Sequence, residues 1–237
     1  MKILTSKSNR IVRILVIGLV AIAVLFSGIT VYAASTRPAA SASSPVGVQA
    51  VLSSAGKPTT QEFQNAMRKL WEEHVAWTRL YIISVAAGLP DQDVTAQRLL
   101  QNQVDIGNAI KPFYGNAAGD QLTALLKDHI LIAADLLAAV KSGDTDKAKI
   151  DSQKWYANAD DIAVFLSNAN PKNWPVATMK TQMKMHLDLT LTEAADRLSG
   201  KYADDIKAYD LVENHILGMA DVLSTGIIRQ FPNQFRR

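Results

Sequence analysis

Cysteine is absent from all 237 residues. That excludes disulfides, thiolate metal sites, iron–sulfur clusters and cysteine nucleophiles, and it leaves any metal to histidine, carboxylate or amide ligands. Recognisable catalytic and phosphate-binding motifs are also missing. No Gly-rich loop follows a strand, no Ser elbow occurs, and neither His-Glu-x-x-His, Glu-x-x-His, paired His-x-x-x-Glu nor Cys-x-x-Cys-His is present. Nothing reads as a β-strand, because the β-branched residues are scattered at helical spacing. Charge is modest: 20% of residues, with a formal net charge of +3. Lys2, Lys7, Arg10 and Arg13 supply four positives before residue 14 with no acid among them, so the rest is close to neutral and nucleic acid is a disfavoured partner.

What is present begins with a long apolar run, residues 14–34, directly after those basic residues. It is long enough to span a bilayer as a helix, and the flanking charge keeps residues 1–13 cytoplasmic and everything after the run outside. Val31-Tyr32-Ala33 also fits a signal-peptidase site. The expectation is therefore a single-pass membrane protein with its C-terminal domain outside, or alternatively a secreted one. Residues 35–59, rich in Ala, Ser and Pro, read as a flexible linker, residues 60–232 as the extracytoplasmic domain and 233–237 as a tail.

With 48% hydrophobic residues the chain can build a sizeable core. Thr59-Thr-Gln-Glu62 has capping-box spacing and opens a helix that closes at Gly88-Leu-Pro-Asp91. Further helices are expected at about 91–111, stopping at Lys111-Pro112, then at about 120–142, 145–168, 175–199 and 201–230. The short connections favour antiparallel neighbours. The fold class is thus all-α, an up-and-down antiparallel bundle of about six helices after the N-terminal transmembrane or signal helix.

One polar residue interrupts each apolar stripe near its centre: His74, Asn102, His129, Asn158, His186 and His215. Mid-helix positions in an up-and-down bundle stay at one depth, so these six should share a layer at the waist. His74-Val-Ala-Trp-Thr78 matches His186-Leu-Asp-Leu-Thr190, Asn102–Ile106 matches Asn158–Ile162, and His129–Leu137 matches His215–Leu223, once in each three-helix half. Four histidines on four helices make candidate ligands for a divalent metal, Zn²⁺ by default, with Asn102, Asn158, Thr78, Thr190, Asp105 and Asp161 as supporting or ligand-binding partners. The same residues would equally make a self-satisfied network that fixes helix register, or a pH-sensing cluster. Arg79, Arg98 and Arg197 lie beside the stripes, where an anion or a neighbouring carboxylate would meet them.

Trp71–Arg79, Arg98–Ala109, Asn168-Ala-Asn-Pro171 and Gln230-Phe-Pro232 together resemble a family of uncharacterised membrane-anchored or secreted proteins of Gram-positive bacteria. The resemblance covers most of residues 62–235 and implies a cell-envelope location. Some members carry labels such as glycosyltransferase or acetylglutamate kinase, activities normally housed in α/β folds, and the residues of this chain support neither. The functional expectation is an extracytoplasmic helical binding or sensing domain for a small ligand or metal. An enzyme using the same layer and a structural envelope protein are the alternatives.

Overall fold

The computed structural model describes residues 56–236. The expected segments 1–13 and 14–34 and the linker up to residue 55 lie outside the described residues, and no described helix is long and apolar enough to cross a membrane. Six α-helices follow one another: α1 (Thr60–Ala87), α2 (Gln92–Tyr114), α3 (Asn116–Ser142), α4 (Thr145–Ala169), α5 (Val176–Leu198) and α6 (Tyr202–Gln230). Among the described residues the only extended pairing is a single bridge between Thr59 and Arg236.

Helix starts and stops follow the local chemistry. Thr59 Oγ1 accepts the Glu62 N–H and Glu62 accepts the Thr59 N–H, completing the capping box that begins α1. Asp144 caps α4 by accepting the Lys147 N–H. The expected loop between α2 and α3 shrinks to Gly115 alone, because Pro112 sits in the last turn of α2 and Asn116 already starts α3. A proline there forfeits one intrahelical bond without further turns to disrupt. Gly115, at φ 84°, then reverses the chain.

Each helix packs on its sequence neighbours and α6 closes against α1, giving a six-membered ring in which α1 also touches α3 and α5. The odd helices run one way and the even ones return. At the end where α1 starts, Phe63, Phe113, Phe231, Phe235, Tyr114 and Trp174 form an aromatic plug with ring centroids 5.1 to 6.1 Å apart. The segment expected as a tail belongs to this plug. Phe235 is buried, Arg236 N donates to Pro58 O, and the Arg236 guanidinium meets Glu62.

The structure regroups the sequence matches. Instead of two three-helix halves, the unit is a helical hairpin used three times: α1–α2, α3–α4 and α5–α6. His74, His129 and His186 sit on the odd helices, 55 and 57 residues apart; Asn102, Asn158 and His215 sit on the even ones, 56 and 57 apart. Fourteen residues after each odd-helix histidine stands a glycine with positive φ, Gly88, Gly143 and Gly200. Each closes its helix with the same two backbone bonds, as in Gly88 N to Val85 O and Leu89 N to Ser84 O. Five residues after the even-helix polar residue stand Gly107, Ala163 and Ala220, all buried, small enough to let neighbouring helices approach.

Candidate functional site

The hairpins share one polar device. Asn102 Nδ2 donates to Leu70 O at 3.0 Å, Asn158 Nδ2 to Leu125 O at 3.1 Å, and His215 Nε2 to Gln182 O at 3.0 Å. Leu70, Leu125 and Gln182 each lie four residues before the odd-helix histidine. The even-helix residue of every hairpin therefore grips the backbone of its partner helix one turn below the imidazole, which fixes the register of the two.

The odd-helix imidazoles turn toward the middle of the ring. His186 is the hub: its ring centroid lies 5.6 Å from that of His74, 6.3 Å from His129 and 6.4 Å from His215, with the last two nearly parallel to it. His129 Nδ1–H donates to Asn158 Oδ1 at 2.8 Å, which leaves its Nε2 as the lone-pair nitrogen. His74 Nδ1 accepts a long 3.3 Å bond from Gln103 Nε2, an amide that also donates to Leu99 O and Asn102 Oδ1. His186 Nδ1 is buried and has no partner.

Burial keeps these rings uncharged. It pushes His74 down to about 3, with His129 nearby adding to the effect, and His129 down to about 4. His186 is lowered well below the usual imidazole range, by burial first and then by the proximity of His74, His129 and His215. Neutral imidazoles donate or accept single hydrogen bonds but do not hold an anion by charge.

Above this layer, toward the end where the odd helices finish, lies a partly open cavity of about 310 Å³. His74, His129 and His186 form its floor. Its walls are mainly aliphatic, among them Ile82, Leu137, Val140 and Leu191, with Trp155 packed 5.2 Å from the His129 ring. Tyr156 donates to Asp188 at 2.5 Å among the lining residues, and Lys184 also binds that carboxylate. A concave, largely apolar space with a few convergent polar groups is the usual form of a small-molecule site, and the volume falls in the usual range.

The six predicted layer residues thus come together, but the expected metal set does not form a metal centre. Among the described residues no group of three or more His, Asp or Glu side chains is placed to hold a metal ion, and the imidazole rings stand with centroids 5.6 to 6.4 Å apart. Thr78 and Thr190 line the cavity, yet each hydroxyl is already spent on the carbonyl of its own helix, His74 O and His186 O. Asp105 is buried but bonds Gln101 and has Arg98 and Glu73 as its charged neighbours, outside the layer. Asp161 is exposed. The arginines find carboxylates: Arg79 bridges Glu193 and Asp205 at 2.8 Å, Arg197 reaches Asp205, and Arg98 reaches Glu73. Gln103 was not singled out by sequence. Gln103 hides beside Asn102, while Trp155 lies three residues before Asn158 on the same helix face, a signal that the helical period does carry.

Fold and site together define a hollow six-helix bundle with a neutral imidazole floor. No family model, no curated protein and no solved structure matches this chain.

Proposed function

We propose that residues 60–236 form an extracytoplasmic ligand-binding domain that takes a small, mostly apolar molecule into the cavity above the histidine layer. The observation that carries this reading is the coincidence of an open, aliphatic-walled space with a floor of buried imidazoles, one of which, His186, has an unpartnered ring nitrogen. Water fills such a space poorly, and a bound polar atom gains a hydrogen bond at an imidazole that has none. The basic N-terminus followed by an apolar run supports placement outside the cytoplasmic membrane, tethered or released.

Trp155 provides the readout, since it lines the cavity. 1-Bromooctane, whose bromine quenches tryptophan on contact, should quench the full chain saturably. The quenching should disappear in Trp155→Phe and in Ala133→Phe, which puts a ring into the space one turn above His129. Equal quenching in Ala133→Phe overturns the proposal. A second reading, a layer that only sets helix register, is favoured by the three even-helix donors on backbone carbonyls. It predicts that Asn158→Ala lowers stability while Ala133→Phe leaves every ligand response unchanged.

A further inference from the structure

The cavity has a polarity of its own. Along α5 it reaches from His186 to Leu198, a rise of about 18 Å at the helical pitch, so an occupant is elongated along the bundle axis. Polar side chains stand on the walls, among them Tyr81, Thr145 and Ser152, and the floor adds the imidazoles. There, the His186 ring has no hydrogen-bond partner, with Nδ1 sealed in the packing and Nε2 left to face the space, and His129 Nε2 carries a lone pair. The aliphatic side chains that follow, Ile82, Leu137, Val140, Leu191 and Leu198, offer a hydrocarbon tail apolar contact along the same length.

Charge narrows the choice further. No lysine or arginine appears among the described residues that line the cavity, and the acids that line it are Asp144 and Asp188. The Lys184 ammonium beside Asp188 is already held by that carboxylate. A carboxylate or phosphate head would lose its hydration at the floor without meeting a cation, a cost of several kcal/mol. A hydroxyl both donates and accepts, so it satisfies His186 Nε2 in either tautomer.

Resting on the binding reading above, we infer that the ligand class is an uncharged single-chain alcohol, bound head-down with its hydroxyl on His186 and its hydrocarbon tail running up the aliphatic walls. Straight-chain alkanols and branched isoprenols share this chemistry.

The chain has only four histidines, so its imidazole Cε1–H signals give four NMR reporters. The full chain in lipid nanodiscs, with empty nanodiscs as reference, is titrated at pH 7.5 with 1-octanol, geraniol, n-octane and octanoate. The expected result is that 1-octanol or geraniol shifts the His186 signal and binds about tenfold more tightly than octane, the worth of one buried hydrogen bond. Octanoate should bind more weakly than 1-octanol. The stronger of the two alcohols identifies the straight or branched source. His186→Phe keeps an aromatic ring and removes its nitrogens, so it should bring the alcohol down to the affinity of octane for the same variant. If that variant does not fold, the ranking of the wild-type ligands and the His186 shift decide the matter. Octanoate binding as tightly as 1-octanol, or an alcohol preference that survives in His186→Phe, overturns the inference. Octane matching 1-octanol removes the hydroxyl assignment but leaves the binding reading standing, whereas no binding by any of the four removes both.

Discussion

At the scale of single residues, the layer divides its labour between even and odd helices. Asn158 shows the structural half: it accepts from His129 and donates to Leu125 O, so it sets both the tautomer of the imidazole and the register of α3 on α4. Asn158→Ala leaves the ring N–H and the carbonyl without partners and should cost about 3 kcal/mol in urea unfolding. The odd-helix imidazoles carry a pH dependence whose sign follows from burial. Free histidine titrates near 6.5, so below that pH the unfolded chain takes up protons that folded His74 and His129 refuse until about 3 and about 4, and that His186, held well below the usual imidazole range by burial, refuses too. The histidine contribution to stability is therefore complete above pH 6.5 and falls as pH drops, by roughly 1.4 kcal/mol per unit for each histidine. Glu193 acts in the opposite sense. Burial, with Asp205 beside it, outweighs Arg79 and lifts its carboxyl to about 7 from 4.5, so the folded chain keeps a proton between those values that the unfolded chain loses. The balance is about two histidine equivalents. Thermal unfolding followed by circular dichroism should show Tm lower by roughly 10 °C at pH 5.5 than at pH 7.5. A flat profile over that range would show that the rings are not held neutral.

At the scale of elements, connections and buried ion pairs hold the hairpins together. The segment from Asn170 to Pro175 is pinned to α6 by Asn170 Nδ2 on Gly226 O and by Trp174 Nε1 on Val222 O. Gly226 permits this, since a Cβ there would stand 2.1 Å from Trp174 Nε1. Gly226→Ala should expel the indole and destabilise the protein by about 3 kcal/mol, with Trp174 moving to red-shifted, solvent-exposed fluorescence. Between α1, α5 and α6, Glu193 and Asp205 are fully buried around Arg79. Arg79→Met strands both acids and should cost about 3 to 5 kcal/mol, most of it regained when Glu193 and Asp205 are also made Gln and Asn. Much of this scale was legible in advance. Capping at Thr59 and the breaks after α1, α3 and α5 follow from local chemistry. The join of α2 to α3 did not, because Pro112 reads as a stop unless it is known to sit in a last turn.

At the scale of the whole molecule, the two ends of the ring differ. Residues 56–59 enter beside the aromatic plug, where Lys57 Nζ reaches Asn233 O, and the cavity lies toward the other end of the 28-residue α1, a helix of about 42 Å. In the tethered form of the proposal, the binding end is the one remote from the N-terminal leader. An occupant of the cavity stabilises only the folded ring. 1-Octanol at a hundred times its Kd should therefore raise stability by about 2.7 kcal/mol and increase Tm by several degrees, an increase that Ala133→Phe abolishes.

The sequence by itself determined the helices, their alternation and the depth of the six polar residues, because period, caps and breaks are local and every mid-helix position in an up-and-down array shares one level. Only the tertiary structure decided what the layer is. Azimuth, not depth, separates Asp105 and Asp161 from the histidines. Ring closure of α6 on α1 turns apparent halves into three hairpins. The space left above the imidazoles depends on side chains from five helices at once, which no single stripe records.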